Sequence, residues 1–267
     1  MPKILTSDQV DQYKRDGFAF PAAVLTADEV RWMRADLEHW ERQQGHPLDF
    51  PEKSKSYLLY AWADALVHHP KVLDAVEDVI GPDILVYHST MWIKEPHTGA
   101  HVRWHQDGAY AEYLRGTPAT SAWIALTPVT SENGCLRVIR ASHGTLLPFT
   151  DKQEKDEMIS RGQRVITEIN EADAVDIVLQ PGEASLHDDT LIHGSNPNRS
   201  SGPRTGFIVR YATPAIAQPE APVFCVRGNA GTLRCQQRPA DDNMSDASSR
   251  YGEYARSQSQ GTGKFDQ

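Results

Sequence analysis

The order of apolar and polar positions divides the chain near residue 83. Upstream of it, Val30, Met33, Leu37 and Trp40 recur three or four residues apart within "TADEVRWMRADLEHWERQQG", which puts them on one face of a helix. Flanking residues set the ends. Thr26 and Glu29 have capping-box spacing and Gly45 supplies a left-handed stop; Thr6, Gln9 and Gly17 repeat the scheme around "TSDQVDQYKRDG". A third helix is expected in "HPKVLDAVEDVIGPD", opened by Pro70 and closed by Gly81 and Pro82. The first eighty residues thus read as helical, with apolar stripes that need a packing partner and no chemistry.

From Ile84 the texture changes. "ILVYHSTMWIKE", "TSAWIALTPV", "GCLRVIR", "RVITEI", "AVDIVL", "GEASLHDDTLIHG" and "RTGFIVRYATP" are short, rich in β-branched and aromatic residues, and punctuated by Gly, Pro, Asn or Asp. That is the pattern of an antiparallel sandwich or barrel. The charged run "PFTDKQEKDEMISRG" interrupts it and reads as a solvated loop or short helix over one end. Past about Pro219 the pattern decays, and "RPADDNMSDASSRYGEYARSQSQGTGKFDQ" reads as a loosely packed tail. One domain is therefore expected over residues 1–218, with a helical part at 1–82, a β core at 83–214, and an extension over 219–267.

Composition narrows the function classes. Apolar residues at 39% and charged residues at 24% are ordinary for a globular chain, and no run of eighteen apolar residues predicts a membrane span. The N-terminal "MPKILTSDQVDQYKRDGF" lacks the unbroken apolar stretch of a secretory signal, so a cytoplasmic location is expected. With 36 acidic against 27 basic residues and no basic stripe, the chain would repel a polyanion, so no nucleic-acid partner is expected. The cysteines, Cys135, Cys225 and Cys235, are odd in number and lack C-x-x-C spacing; they predict free thiols.

Eleven histidines are too many to be ligands, so each candidate needs a geometric reason. In "RWHQDGAY" an extended backbone would turn His105 and Asp107 to one face and Gln106 to the other. Trp104 and Tyr110 could wall the site, and Gly108 permits a tight bend. Two competitors stand beside this pair. His187, Asp188 and Asp189 repeat H-x-D with His193 close behind, and His101 with His105 has the i, i+4 spacing of a helical zinc site. The helical reading is disfavoured by Pro96, Gly99 and Gly108 and by the missing glutamate. A third arrangement joins His105 and Asp107 to the distant His193. Two histidines and one carboxylate leave three positions on a metal open, as a non-heme Fe(II) oxygenase requires for a bidentate cosubstrate and O2. Beyond His193, Ser195 and Arg204 could hold a carboxylate, the arginine through a bidentate fork. A metal-dependent hydrolase and a non-catalytic binding protein are the rival classes.

"WHQDGAY", "SAWIALTPVTSENGCLRVIRASHG" and "GEASLHDDTLIHGSNPNRSSGPR" together resemble the phytanoyl-CoA dioxygenase family of Fe(II)- and 2-oxoglutarate-dependent oxygenases. The resemblance runs from about Val10 to Thr213 and is most specific from Tyr87 onward. It implies a mainly β fold with flanking helices, a double-stranded β-helix or cupin-like jelly roll. It also implies that His105, Asp107 and His193 are the catalytic iron ligands and that Arg204, eleven residues past His193, binds 2-oxoglutarate. Ser195 and Trp123 match cosubstrate-contacting positions; Tyr87 or His88 is a further candidate. His187 matches a position near the metal that is not a ligand, and His143 matches a turn, where Arg140 and Ala141 replace the family's usual proline. The implied reaction uses Fe(II), 2-oxoglutarate and O2 to oxidise a C–H bond of a small molecule, releasing succinate and CO2. Related halogenases carry a small residue where this chain has Asp107, so hydroxylation is expected instead. A CoA thioester needs a cationic cradle, and only scattered Arg103, Arg115 and Arg137 are available. The expected substrate is free of CoA: an amino acid derivative, a phosphonate or a natural-product intermediate.

Overall fold

Helix α1 (Ser7–Asp16) forms where the sequence predicts it, its Thr6–Gln9 capping box closed from both sides and Gly17 ending it at φ 86°. The computed structural model describes residues 1–152, 154–159 and 162–236. Strand β1 (Phe18–Ala23) follows, then α2 (Ala27–Gln44), α3 (Ala61–Val67) and α4 (Pro70–Ile80). The remaining elements are strands: β2 (Ile84–Lys94), β3 (Val102–His105), β4 (Ala119–Ala125), β5 (Leu136–Ile139), β6 (Phe149–Thr150), β7 (Arg164–Val165), β8 (Ala174–Ile177), β9 (Glu183–Asp188), β10 (His193–Ser195), β11 (Arg204–Ala212) and β12 (Phe224–Arg227).

Two antiparallel sheets make the jelly roll. One is six-stranded in the order β1-β9-β4-β11-β2-β12 and the other four-stranded in the order β3-β10-β5-β8, while β6 and β7 form a separate hairpin. Strand alternation decides what each face does. On β11, Phe207, Val209 and Tyr211 pack outward in one core with Trp62, Leu66 and Val76 of the helices, whereas Ile208 packs inward with Trp123, Leu136 and Val138. Fully burying a side chain such as Phe207 stabilises by about 1.5–3 kcal/mol, so the helices hold the larger sheet through many such contacts. Arg204 and Arg210 share the parity of Ile208, which commits two charged side chains to the same inward-facing rows.

The helical reading of the first eighty residues needs correction at "FAFPAA". This segment is β1, paired with β9 from Phe18 opposite His187 to Ala23 opposite Glu183. Only an edge strand tolerates Pro21, because its missing N–H can face outward. Correction applies also to "RVITEI", of which only Arg164 and Val165 form a strand. The decay expected past Pro219 is interrupted by β12, which pairs with β2, and by the buried Ala221 and Val223 beneath it. The polar run beginning at Arg238, which reads as a loosely packed tail, lies outside the described residues. No described helix is long and apolar enough to cross a membrane.

Candidate metal centre and cosubstrate pocket

Strand pairing brings the distant histidine to the H-x-D segment. His193 on β10 lies opposite His105 on β3, and the register slips by one residue before Ser195 meets Val102. Asp107 begins a short 3-10 turn just past β3. One ligand atom from each of His105, Asp107 and His193 lies within 4.8 Å of the others, and all three residues are buried.

Backbone carbonyls fix both imidazoles. His105 Nδ1 lies 2.9 Å from the Arg103 carbonyl and His193 Nδ1 lies 2.9 Å from the Leu191 carbonyl. A carbonyl can only accept, so each Nδ1 carries the proton and each Nε2 turns its lone pair inward. These Nε2 atoms stand 3.5 and 3.7 Å from Asp107 Oδ1. Burial and the neighbouring His105 hold His193 well below the usual imidazole range, which keeps it neutral and able to coordinate.

Asp107 is matched on its other side. Arg210 Nε and Ser121 Oγ donate to Oδ2 at 2.9 and 2.8 Å, and Arg210 Nη2 donates to Oδ1 at 2.6 Å. Burial would push this carboxyl up, but Arg210, with His193 beside it, holds it well below the usual carboxylate range. The carboxylate is therefore favoured as the anion. Its Oδ1 faces both histidines.

The same cavity reaches Ser195 and Arg204, with Trp92, Trp123, Leu136 and Ile208 as apolar walls. Arg204 is 3% exposed, its guanidinium lies 5.2 Å from the Trp123 ring centre, and its Nε is buried without a partner. Trp123 fits there because residue 206 is glycine: a Cβ would come within 2.0 Å of the indole. Burial pushes the Arg204 guanidinium down to about 10, so it stays charged at neutral pH. A buried arginine with an orphaned donor is suited to an anionic ligand. Two inward-facing imidazole nitrogens and one carboxylate are likewise suited to a divalent ion, so these residues fit iron and 2-oxoglutarate.

The competing histidine sets do not converge. Asp188 accepts from the Thr190 hydroxyl and amide, and Asp189 accepts from the Tyr87 hydroxyl, so neither joins His187. His187 is fully buried beside the cluster, its Nε2 3.8 Å from Asp107 Oδ2, and neither ring nitrogen has a hydrogen-bond partner. The segment from Val102 to His105 is a strand, which removes the helical His101–His105 site. Tyr87 is committed to Asp189, and His88 Nε2 lies 3.0 Å from the Thr90 hydroxyl. His143 lies 3.3 Å from the Lys14 carbonyl in a turn where Ala141 has φ 58°.

Sequence reasoning missed three residues of the site: Arg210, which lines the cavity, Ser121, which donates to Asp107, and Lys94, which donates to Ser195. A signal for two of them exists in the alternation. Arg210 stands at an even step from Arg204 along "RTGFIVRY", and Lys94 at an even step from Trp92 in "WIKEP".

A family model for phytanoyl-CoA dioxygenase (PhyH) matches residues 13–206. The peroxisomal phytanoyl-CoA dioxygenase of Mus musculus is 25% identical over 234 residues, covering 79% of this chain and 69% of that one. L-proline trans-4-hydroxylase of Streptomyces griseoviridis is 28% identical over 241 residues, covering 80% and 90%. Among solved structures, the non-heme monooxygenase ThoJ in its apo form superposes with a TM-score of 0.78 at 31% identity, covering 93% of this chain and 95% of its own. ThoJ has also been solved as a nickel complex, at a TM-score of 0.73 and 29% identity, covering 95% of this chain and 98% of its own.

Proposed function

The chain belongs to the phytanoyl-CoA dioxygenase family, and on that premise we propose that it hydroxylates a C–H bond of a small molecule not carried on CoA. It is a 2-oxoglutarate-dependent dioxygenase that uses Fe(II), 2-oxoglutarate and O2. The observation that carries the reading is one cavity with two kinds of receptor: three inward-facing ligand atoms within 4.8 Å, and a buried Arg204 without an acid partner.

In this proposal His105 Nε2, Asp107 Oδ1 and His193 Nε2 hold the iron. Arg204 and Ser195 bind the distal carboxylate of 2-oxoglutarate, and Trp123 forms the wall beside it. When bound, iron with 2-oxoglutarate and O2 supplies the oxidising power, 2-oxoglutarate leaving as succinate and CO2 and one oxygen atom going to the substrate. The chain's own part is to orient and to exclude water. Arg210 and Ser121 keep Asp107 ionised and aimed, and the apolar walls keep the cavity dry. Asp107 occupies the position that a halide would need, which favours hydroxylation over halogenation.

Substrate class follows from the arginines available to cradle CoA. Arg103 pairs with Glu154 and Glu157, Arg115 with Glu112, and Arg137 with Glu171 and Asp176. A cation already neutralised adds little to phosphate binding. An amino acid derivative, a phosphonate or a natural-product intermediate suits such a surface better. A substrate screen read by succinate release tests the proposal, with Asp107→Ala as control. Release that depends on substrate should fall to background in the variant; unchanged release would refute the assignment.

A further inference from the structure

Lys94 is fully buried at the end of β2, directly across the sheet from Arg204 on β11. Cross-strand partners point to one face with Cβ atoms about 4.5–5.5 Å apart, and like charges in that position repel. Among the described residues, no carboxylate lies within ion-pairing distance of either cation. Glu157 acts on Lys94 only at longer range, and Cys135 is no counterion, because burial pushes its thiol up to about 11. A folded chain that buries an arginine beside a lysine without an acid is arranged for an anion from outside.

The hydrogen bonds of Lys94 add a second argument. Its Nζ donates to Ser195 Oγ at 2.6 Å and to the Asn196 carbonyl. A hydroxyl that accepts from an ammonium has its own proton free to donate elsewhere, so Lys94 sets Ser195 as a donor toward the cavity. An ammonium carries three N–H groups, so a Lys94 kept protonated by an entering anion has one N–H beyond these two.

We propose that Lys94 is the second cation of the 2-oxoglutarate seat, binding the distal carboxylate together with Arg204 and polarising Ser195 toward it. This rests on the cosubstrate reading given above. The groups facing Lys94 are Arg204 on β11, Ser195 on β10, Cys135 ahead of β5 and Glu157 in the segment beside β3. Burial first, and Arg204 second, push its ammonium down to about 6. A carboxylate entering the pocket would raise that value again, so binding at neutral pH takes up a proton.

The test compares two ligands on nickel-loaded protein, which binds without turnover: 2-oxoglutarate, and 2-oxobutyrate, which keeps the 2-oxo acid head but ends in a methyl group. Dissociation constants are measured by calorimetry for wild type, Lys94→Met and Lys94→Arg. Loss of a charge-assisted hydrogen bond should weaken 2-oxoglutarate about ten- to a hundredfold in Lys94→Met. Binding of 2-oxobutyrate should stay within about twofold, which also shows that the variant is folded, and Lys94→Arg should recover part of the loss. If Lys94→Met does not fold, Lys94→Gln carries the same comparison. Unchanged 2-oxoglutarate affinity, or equal loss for both ligands, overturns the role of Lys94 while leaving the cosubstrate reading intact. Failure of the wild type to bind 2-oxoglutarate overturns both.

Discussion

Asp107 and Arg204 lie buried in the same cavity, yet one has its charge matched by neighbours and the other does not. Around Asp107, Arg210 and Ser121 supply three hydrogen bonds and the two imidazoles face its free side. Around Arg204 there is no carboxylate among the described residues, only the buried Lys94 and an aromatic wall. The difference separates what is resident from what is transient. A ligand set for a metal has to be assembled before the metal arrives, and an arginine clamp keeps its carboxylate ionised in the meantime. A seat for a cosubstrate that is consumed at each turnover is better left with unspent charge, because the binding energy then appears only when the ligand enters.

Breaking the matched end should have the larger effect on the protein itself. Arg210→Leu leaves Asp107 buried without its strongest partner, a change that costs about 3–5 kcal/mol. For a chain of this size that lowers the melting temperature by roughly 10 °C, measurable by thermal denaturation of metal-free protein. An unchanged melting temperature would mean that the clamp contributes nothing.

The unmatched end should respond in the opposite way. Arg204→Leu removes a buried, uncompensated cation, so the ligand-free protein should melt no lower than wild type. What it loses is the ligand's contribution: 2-oxoglutarate at a hundred times its dissociation constant should stabilise nickel-loaded wild type by about 2.7 kcal/mol, and the variant very little. If ligand-free Arg204→Leu melted as early as Arg210→Leu, the two ends would not differ as described.

The smallest expected effect is a pH dependence. With burial and Arg204 pushing the Lys94 ammonium down to about 6, a carboxylate seated beside it should keep it protonated to higher pH. Affinity for 2-oxoglutarate is then greatest below about pH 6 and falls as pH rises, by at most about tenfold per unit. Calorimetry across neutral to mildly alkaline pH should show this slope in wild type and a flatter one in Lys94→Met. Equal slopes would place the titrating group elsewhere.

These two ends were unequally legible in the sequence. His105, Asp107, His193, Ser195 and Arg204 carry chemistry in local patterns, and the resemblance to a family implies roles for them. Lys94 and Arg210 do not. Lys94 gains meaning only from a cross-strand neighbour on β11, and Arg210 only from Asp107, 103 residues earlier in the chain. Single-sequence patterns show which way a strand residue faces but not what it meets. The misread β1 has the same cause: "FAFPAA" has little strand signal of its own and becomes one by pairing with β9. The competing H-D-D set failed for a complementary reason, since Asp188 and Asp189 are used by Thr190 and Tyr87.

If one cavity binds iron and 2-oxoglutarate together, anaerobic addition of Fe(II) and then 2-oxoglutarate, followed by visible absorption, should show it. Wild type should develop a weak charge-transfer band that saturates at one 2-oxoglutarate per iron, and His193→Ala should not. A wild-type protein that stays colourless while binding either component would contradict the account.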